Sequence, residues 1–152
     1  MPDLFPDEIS RDSGAENDVS DESEFAGYKS APSFDGKDFA RDGAHRVVMA
    51  NGATAWAQWC EKCIATQKGA SPYYPDWYGV DWKNAISSGD RALTENILSR
   101  EISDTLKSDS YGRLDYIESI KYTWNNTSLD VSVTAFGVDG SSAIINASKE
   151  VT

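Results

Sequence analysis

In the last third of the chain the apolar residues recur with a period of two. Ile120, Tyr122 and Trp124 alternate with Lys121 and Thr123, and Leu129, Val131, Val133 and Ala135 alternate with Asp130, Ser132 and Thr134. Asn125-Asn126 lies between the two runs as a turn. Successive side chains of a strand point to opposite faces, so the pattern predicts an antiparallel hairpin buried on one face. Asp139-Gly140 turns the chain into a third strand over about residues 142–148, with Ile145 and Ala147 on the buried side. A sheet with one apolar face has to be covered by another layer.

Two stretches upstream can supply that layer. Asn51 is placed to cap a helix over about residues 52–68, in which Ala53, Trp56, Ala57, Cys60, Cys63, Ile64 and Gln67 form one stripe and Lys68-Gly69 a cationic end and stop. Asp90 or Thr94 caps a second helix running to about Lys107, with Leu93, Ile97, Leu98, Ile102, Thr105 and Leu106 on one side. A short turn of helix is expected from Trp82 to about Ser87. Residues 34–50 contain the turn dipeptides Asp35-Gly36 and Asp42-Gly43 between short extended runs, which predicts a small hairpin or arm. The fold class is therefore α+β: two main helices on a small antiparallel sheet, preceded by an extended acidic N-terminal arm.

Between the helices lies Pro72 to Trp82, PYYPDWYGVDW. Pro72, Pro75 and Gly79 forbid a long helix, and the half-polar rings of Tyr73, Tyr74, Trp77, Tyr78 and Trp82 combine large area with hydrogen-bonding groups. Such a segment is either a wall of the core or an adhesive surface for another molecule.

Charge divides the chain. Of 25 acidic and 14 basic residues, nine acids fall in residues 1–30 against Arg11 and Lys29, so the leader carries −7 of the net −11. It is too poor in apolar residues to order itself, apart from the hooks Leu4-Phe5-Pro6 and Phe25 with Tyr28. The expected division is an acidic arm over residues 1–33 and a domain over residues 34–152. So acidic a chain repels phosphate backbones, which argues against nucleic-acid binding. Neither a ~20-residue apolar span nor a secretory start is visible, which predicts no membrane insertion and folding in a cytoplasm.

Chemistry-bearing motifs are scarce. Cys60-Glu61-Lys62-Cys63 has the spacing of a redox or zinc pair, but lacks a preceding strand and two further ligands. Both thiols lie on the apolar stripe and are expected to fill the core. His45 has no cysteine or histidine partner nearby. Phosphate loops, nucleophile elbows and histidine-centred triads are not present, and no catalytic, cofactor or metal residue is assigned. Three classes remain open: an assembly subunit, a carbohydrate-binding module stacking sugars on Trp77, Tyr78 and Trp82, or a lysozyme-like glycosidase using two carboxylates about 5–9.5 Å apart.

A longer pattern favours the first class. Phe34-Asp35, Phe39, Ala55-Trp56-Ala57-Gln58-Trp59-Cys60-Glu61-Lys62, Thr66, Tyr73-Tyr74-Pro75, Tyr78-Gly79-Val80, Arg100-Glu101-Ile102, Leu106, Arg113, Leu129-Asp130-Val131-Ser132-Val133 and Val138-Asp139-Gly140 occur in order. This resembles the baseplate wedge subunit of contractile phage tails in Gram-positive myophages and defective prophages, which is related to the sheath-base subunit of type VI secretion. The resemblance spans about residues 34–140, and the MPDLFP opening with its acidic stretch is similar too. It implies a non-enzymatic structural protein of the virion baseplate, assembled in the bacterial host cytoplasm. Six or a multiple of six copies would contact other wedge proteins, the tail sheath and the central hub or tube. Many relatives carry Glu-Pro-Arg after the second helix. Here the junction reads Ser110-Tyr111-Gly112-Arg113, so Arg113 matches the arginine while glutamate and proline are absent.

Partner contacts are accordingly expected at Arg113, at Trp77, Tyr78 and Gly79 of the aromatic segment, at the leader hook Leu4 and Phe5, and at Ser142 and Ile144 of the third strand. A guanidinium at a helix-to-strand turn suits bidentate recognition of a neighbour's carboxylate or of the fold's own carbonyls, or else caps the helix. On this reading Arg113→Ala leaves the monomer folded and weakens its incorporation.

Overall fold

A computed structural model describes residues 31–35 and 38–151. The described residues open with four two-residue strands, β1 (Ala31–Pro32), β2 (Phe34–Asp35), β3 (Asp38–Phe39) and β4 (Met49–Ala50). β2 pairs with β3 as the expected hairpin, and β1 pairs with β4. Three helices follow, α1 (Gly52–Ala65), α2 (Trp82–Ser87) and α3 (Arg91–Lys107), and then β5 (Leu114–Trp124), β6 (Ser128–Gly137) and β7 (Ser142–Glu150). The last three form one antiparallel sheet in the order β5-β6-β7.

The period of two in β6 translates directly into burial. Leu129, Val131, Val133 and Ala135 face inwards, while their neighbours remain half-exposed. Ala143, Ile145 and Ala147 of β7 continue that face, because Val133 pairs with Ile145 and Val131 with Ala147. α1 covers β7 through Trp56, Cys60 and Ile64; α3 covers β5 through Leu98, Ile102 and Leu106. Each large side chain so buried contributes about 1.5–3 kcal/mol. The architecture is α+β, with both main helices on the apolar face of the sheet.

Four details differ from the sequence reading. α1 stops at Ala65 instead of Lys68, because Thr66 turns extended (φ −84, ψ 130) and Gln67 forms a parallel bridge with Val80. Asn51 occupies the N-cap position of α1 without a side-chain cap bond. On α3 the cap is Asp90, whose carboxylate accepts from Ala92 N–H, and Leu93 is exposed while Thr94 is buried. The reason is polar: Thr94 Oγ1 donates to Ala85 O at 2.8 Å, satisfying a carbonyl of α2. β5 starts at Leu114, well before Ile120, and register shifts between Leu114 and Tyr116 and between Ile117 and Ser119 break its alternation.

Candidate partner-binding surfaces

The aromatic segment closes on the end of α1. Lys68 N–H donates to Val80 O, and Val80 N–H to Thr66 O, both at 3.0 Å, so residues 67–80 form a loop pinned at its base. Gly79 makes this closure possible. Its φ is +96, and a Cβ there would stand 2.8 Å from Thr66 O, so only glycine fits. Trp77 O accepts from Thr105 Oγ1 at 2.7 Å, and Trp82 Nε1 donates to Ile64 O at 2.8 Å.

The rings therefore divide between the two fates open to them. Tyr78, Val80 and Trp82 are buried, Tyr74 and Trp77 are half-buried, and Tyr73 is 93% exposed. Tyr78 stacks on Tyr74 with centroids 4.5 Å apart and meets Trp59 and Trp77 edge-on. Burial pushes its phenol above the ordinary value. Of the residues expected to meet a partner here, Tyr78 and Gly79 lie inside the loop and Trp77 at its rim. A flat sugar platform of Trp77, Tyr78 and Trp82 is not formed, because Trp82 is spent on the core.

Arg113 is also turned inwards. After α3, Asp109 begins a turn in which its carboxylate accepts from Tyr111 N–H at 3.2 Å, and Gly112 adopts φ +61. The turn aims the next side chain back: Arg113 Nε donates to Asp109 Oδ2 at 2.7 Å and Nη2 to Oδ1 at 3.2 Å. The side chains of Arg113 and Asp109 are only 7% and 3% exposed. The guanidinium carbon sits 5.0 Å from the Trp59 ring and 5.3 Å from that of Tyr111, a cation–π sandwich. The bidentate carboxylate is thus supplied by this chain's own Asp109 and not by a neighbour. Its signal in the sequence is an aspartate four residues before the arginine at a helix end. What reaches solvent is the aromatic cover, Tyr111 at 57% exposure with the half-buried Trp59 and Trp77.

The third expected contact lies at the far side of the sheet. Among the described residues β7 is an edge strand, and two bonds fix which of its backbone groups turn away from β6. Gly137 N–H donates to Ser141 O and Val151 N–H to Thr127 O, so the odd-numbered residues of β7 share the ladder with β6. The alternation of an antiparallel pair then turns the N–H and C=O groups of Ser142, Ile144, Asn146 and Ser148 away from β6. Ser142 is exposed, and Ile144 is 70% exposed on the outer face of the sheet. Leu4 and Phe5 lie outside the described residues.

Cys60 and Cys63 are free thiols at 0% exposure, and burial raises both above the ordinary thiol value. They fill the core as expected, with Cys63 Sγ 3.4 Å from Thr105 Oγ1. Among the described residues no three His, Cys, Asp or Glu side chains are grouped to hold a metal ion, and no helix is long and apolar enough to cross a membrane.

A family model described as contractile injection system sheath initiator matches residues 30–140. That span runs from just before β1 through both main helices and the aromatic loop to the end of β6 and its turn. Comparison with curated proteins gives no match. With well over half of its 152 residues matched, the chain belongs to the family of contractile injection system sheath initiators, structural components of a contractile tail particle.

Proposed function

We propose that this chain is a baseplate wedge subunit of the kind found in contractile tails of Gram-positive myophages and defective prophages, and that it anchors the first sheath subunits around the tube. The observation that carries this reading is the β7 edge, where alternate backbone groups from Ser142 to Ser148 face outwards and Ile144 projects beside them. An open edge recognises an extended partner through main-chain hydrogen bonds, so a sheath or wedge neighbour docks there by adding a strand. The rim of Tyr111, Trp59 and Trp77 forms a second contact, to the wedge proteins. Large rings with hydrogen-bonding edges are suited to such surfaces. Arg113 supports that rim from beneath, held by Asp109.

Co-purification from tail particles followed by electron microscopy tests the placement, with density in six or a multiple of six copies beneath the sheath as the expected result. Hydrogen exchange tests the docking mode. Amides in residues 142–148 should become protected on assembly, and exchange that stays the same there would remove strand addition from the proposal.

A further inference from the structure

Main-chain bonds to a strand edge carry little sequence preference, so the choice of partner falls to the side chains that meet beside it. At β7 those side chains enter a groove of about 630 Å³ between the strand and the last turns of α1. Phe34, Glu61, Lys62 and Ala65 line one side of it, and Ala147 and Lys149 the other. An added strand runs about 4.8 Å beyond β7, and every second side chain of it points to the face that Ile145 and Ala147 occupy, into this groove.

Two lysines belong to that lining. Lys149 pairs in register with the buried Leu129, which puts it on the inner face of the sheet. Its ammonium donates to Ala65 O at 2.6 Å and stands 5.7 Å from the Trp82 ring centre. One of its three N–H donors is used on that carbonyl, and two remain. Lys62 Nζ lies 4.8 Å from the Phe34 ring centre. Among the described residues neither lysine is ion-paired, and Glu61 is the one carboxylate of the lining. On a chain of 25 acidic and 14 basic residues, this groove therefore has the opposite balance of charge. An inward lysine at a strand edge also deters an apolar strand, because its ammonium would be covered without a partner. A second copy of the chain fits no better: the inward residues of its β7 are Ala143, Ile145, Ala147 and Lys149, with no carboxylate among them.

We propose that the strand added to β7 is acidic: an extended segment of a neighbouring tail protein that carries an aspartate or glutamate on its inward face and pairs it with Lys62 and Lys149. This rests on the strand-addition reading of the same edge and gives the partner its chemistry. The backbone groups of Ile144, Asn146 and Ser148 hold any extended segment, and the two ammonium groups select the one with a carboxylate at the matching position.

Amide hydrogen exchange on tail particles assembled with full-length wild-type, Lys62→Gln or Lys149→Gln subunits tests the pairing. In the wild-type particle the amides of Ile144, Asn146 and Ser148 should be protected, and the protection should weaken as sodium chloride is raised. Each variant should exchange about fivefold faster at these amides in low salt, with the difference closing in high salt, while the Ile145 amide, bonded to β6, is unchanged. Lys62→Gln leaves the bond from Lys149 to Ala65 O in place, so its effect is read on an undisturbed α1. Protection that neither the variants nor salt alters overturns the acidic partner and leaves strand addition standing. Stronger protection in the variants overturns it as well, since the lysines would then keep strands away. Absence of protection in the wild-type particle removes strand addition, and this proposal with it. Protection already present in the isolated subunit also overturns it: dependence on protein concentration would place a second copy at the edge, and loss on deleting residues 1–30 would place the leader there.

Discussion

At the scale of single residues, four positions carry more than their identity suggests. Arg113 and Asp109 form a buried pair, and removing one partner of such a pair leaves the other charge uncompensated, at a cost of about 3–5 kcal/mol. Arg113→Ala is therefore expected to lower the unfolding free energy by that amount in urea titration, and not to leave the monomer untouched. The double change Asp109→Leu with Arg113→Met should recover most of the loss. Gly79→Ala forces a Cβ to 2.8 Å from Thr66 O at a φ of +96, and should cost about 1–3 kcal/mol by the same measurement. Cys60 sets an alkaline limit. Its thiol has an ordinary value of 9.0 and is held higher in the fold, so the unfolded chain releases a proton that the folded chain keeps. Stability is then complete below about pH 9 and falls above it, by about 1.4 kcal/mol per pH unit for this group. In Cys60→Ala the fall between pH 9 and 11 should be shallower, whatever the variant's stability at neutral pH.

At the scale of elements, what could be read in advance depended on how regular the pattern was. β6 and β7 keep strict alternation, so their inward residues were legible from the sequence. Two register shifts hide the first half of β5 from any reading by alternation. α1 is shorter than its apolar stripe suggests because Thr66 and Gln67 give their carbonyls to Val80 and to the closing loop. On α3 Thr94 takes the inward position and Leu93 stays exposed, and the Thr94 hydroxyl adds a bond to Ala85 O of α2. The open side of β7 permits a test confined to one element. Proline is tolerated in an edge strand where the N–H faces outwards. Ile144→Pro should thus retain the circular dichroism of the domain while reducing co-sedimentation with tail particles, and undiminished incorporation would show that this edge is not the docking site.

At the scale of the whole molecule, both main helices lie on one face of the three-stranded sheet, and among the described residues no other element covers the opposite face or pairs with the outer edge of β7. Deleting residues 1–30 should leave the circular dichroism of the domain intact and lower the stability of the assembled wedge. Wedges of normal stability built from the shortened chain would mark the leader as dispensable. Amino-acid order alone was enough to determine the α+β class, the pairing of the C-terminal strands, the apolar stripes, the core role of the two cysteines and the resemblance to a sheath-base family, because each rests on local period or on motif order. Only the tertiary structure decided which rings of the aromatic segment are core and which are rim, and that Arg113 spends its charge on Asp109. Those outcomes depend on which chain segments come to lie against one another, and no local pattern carries that information.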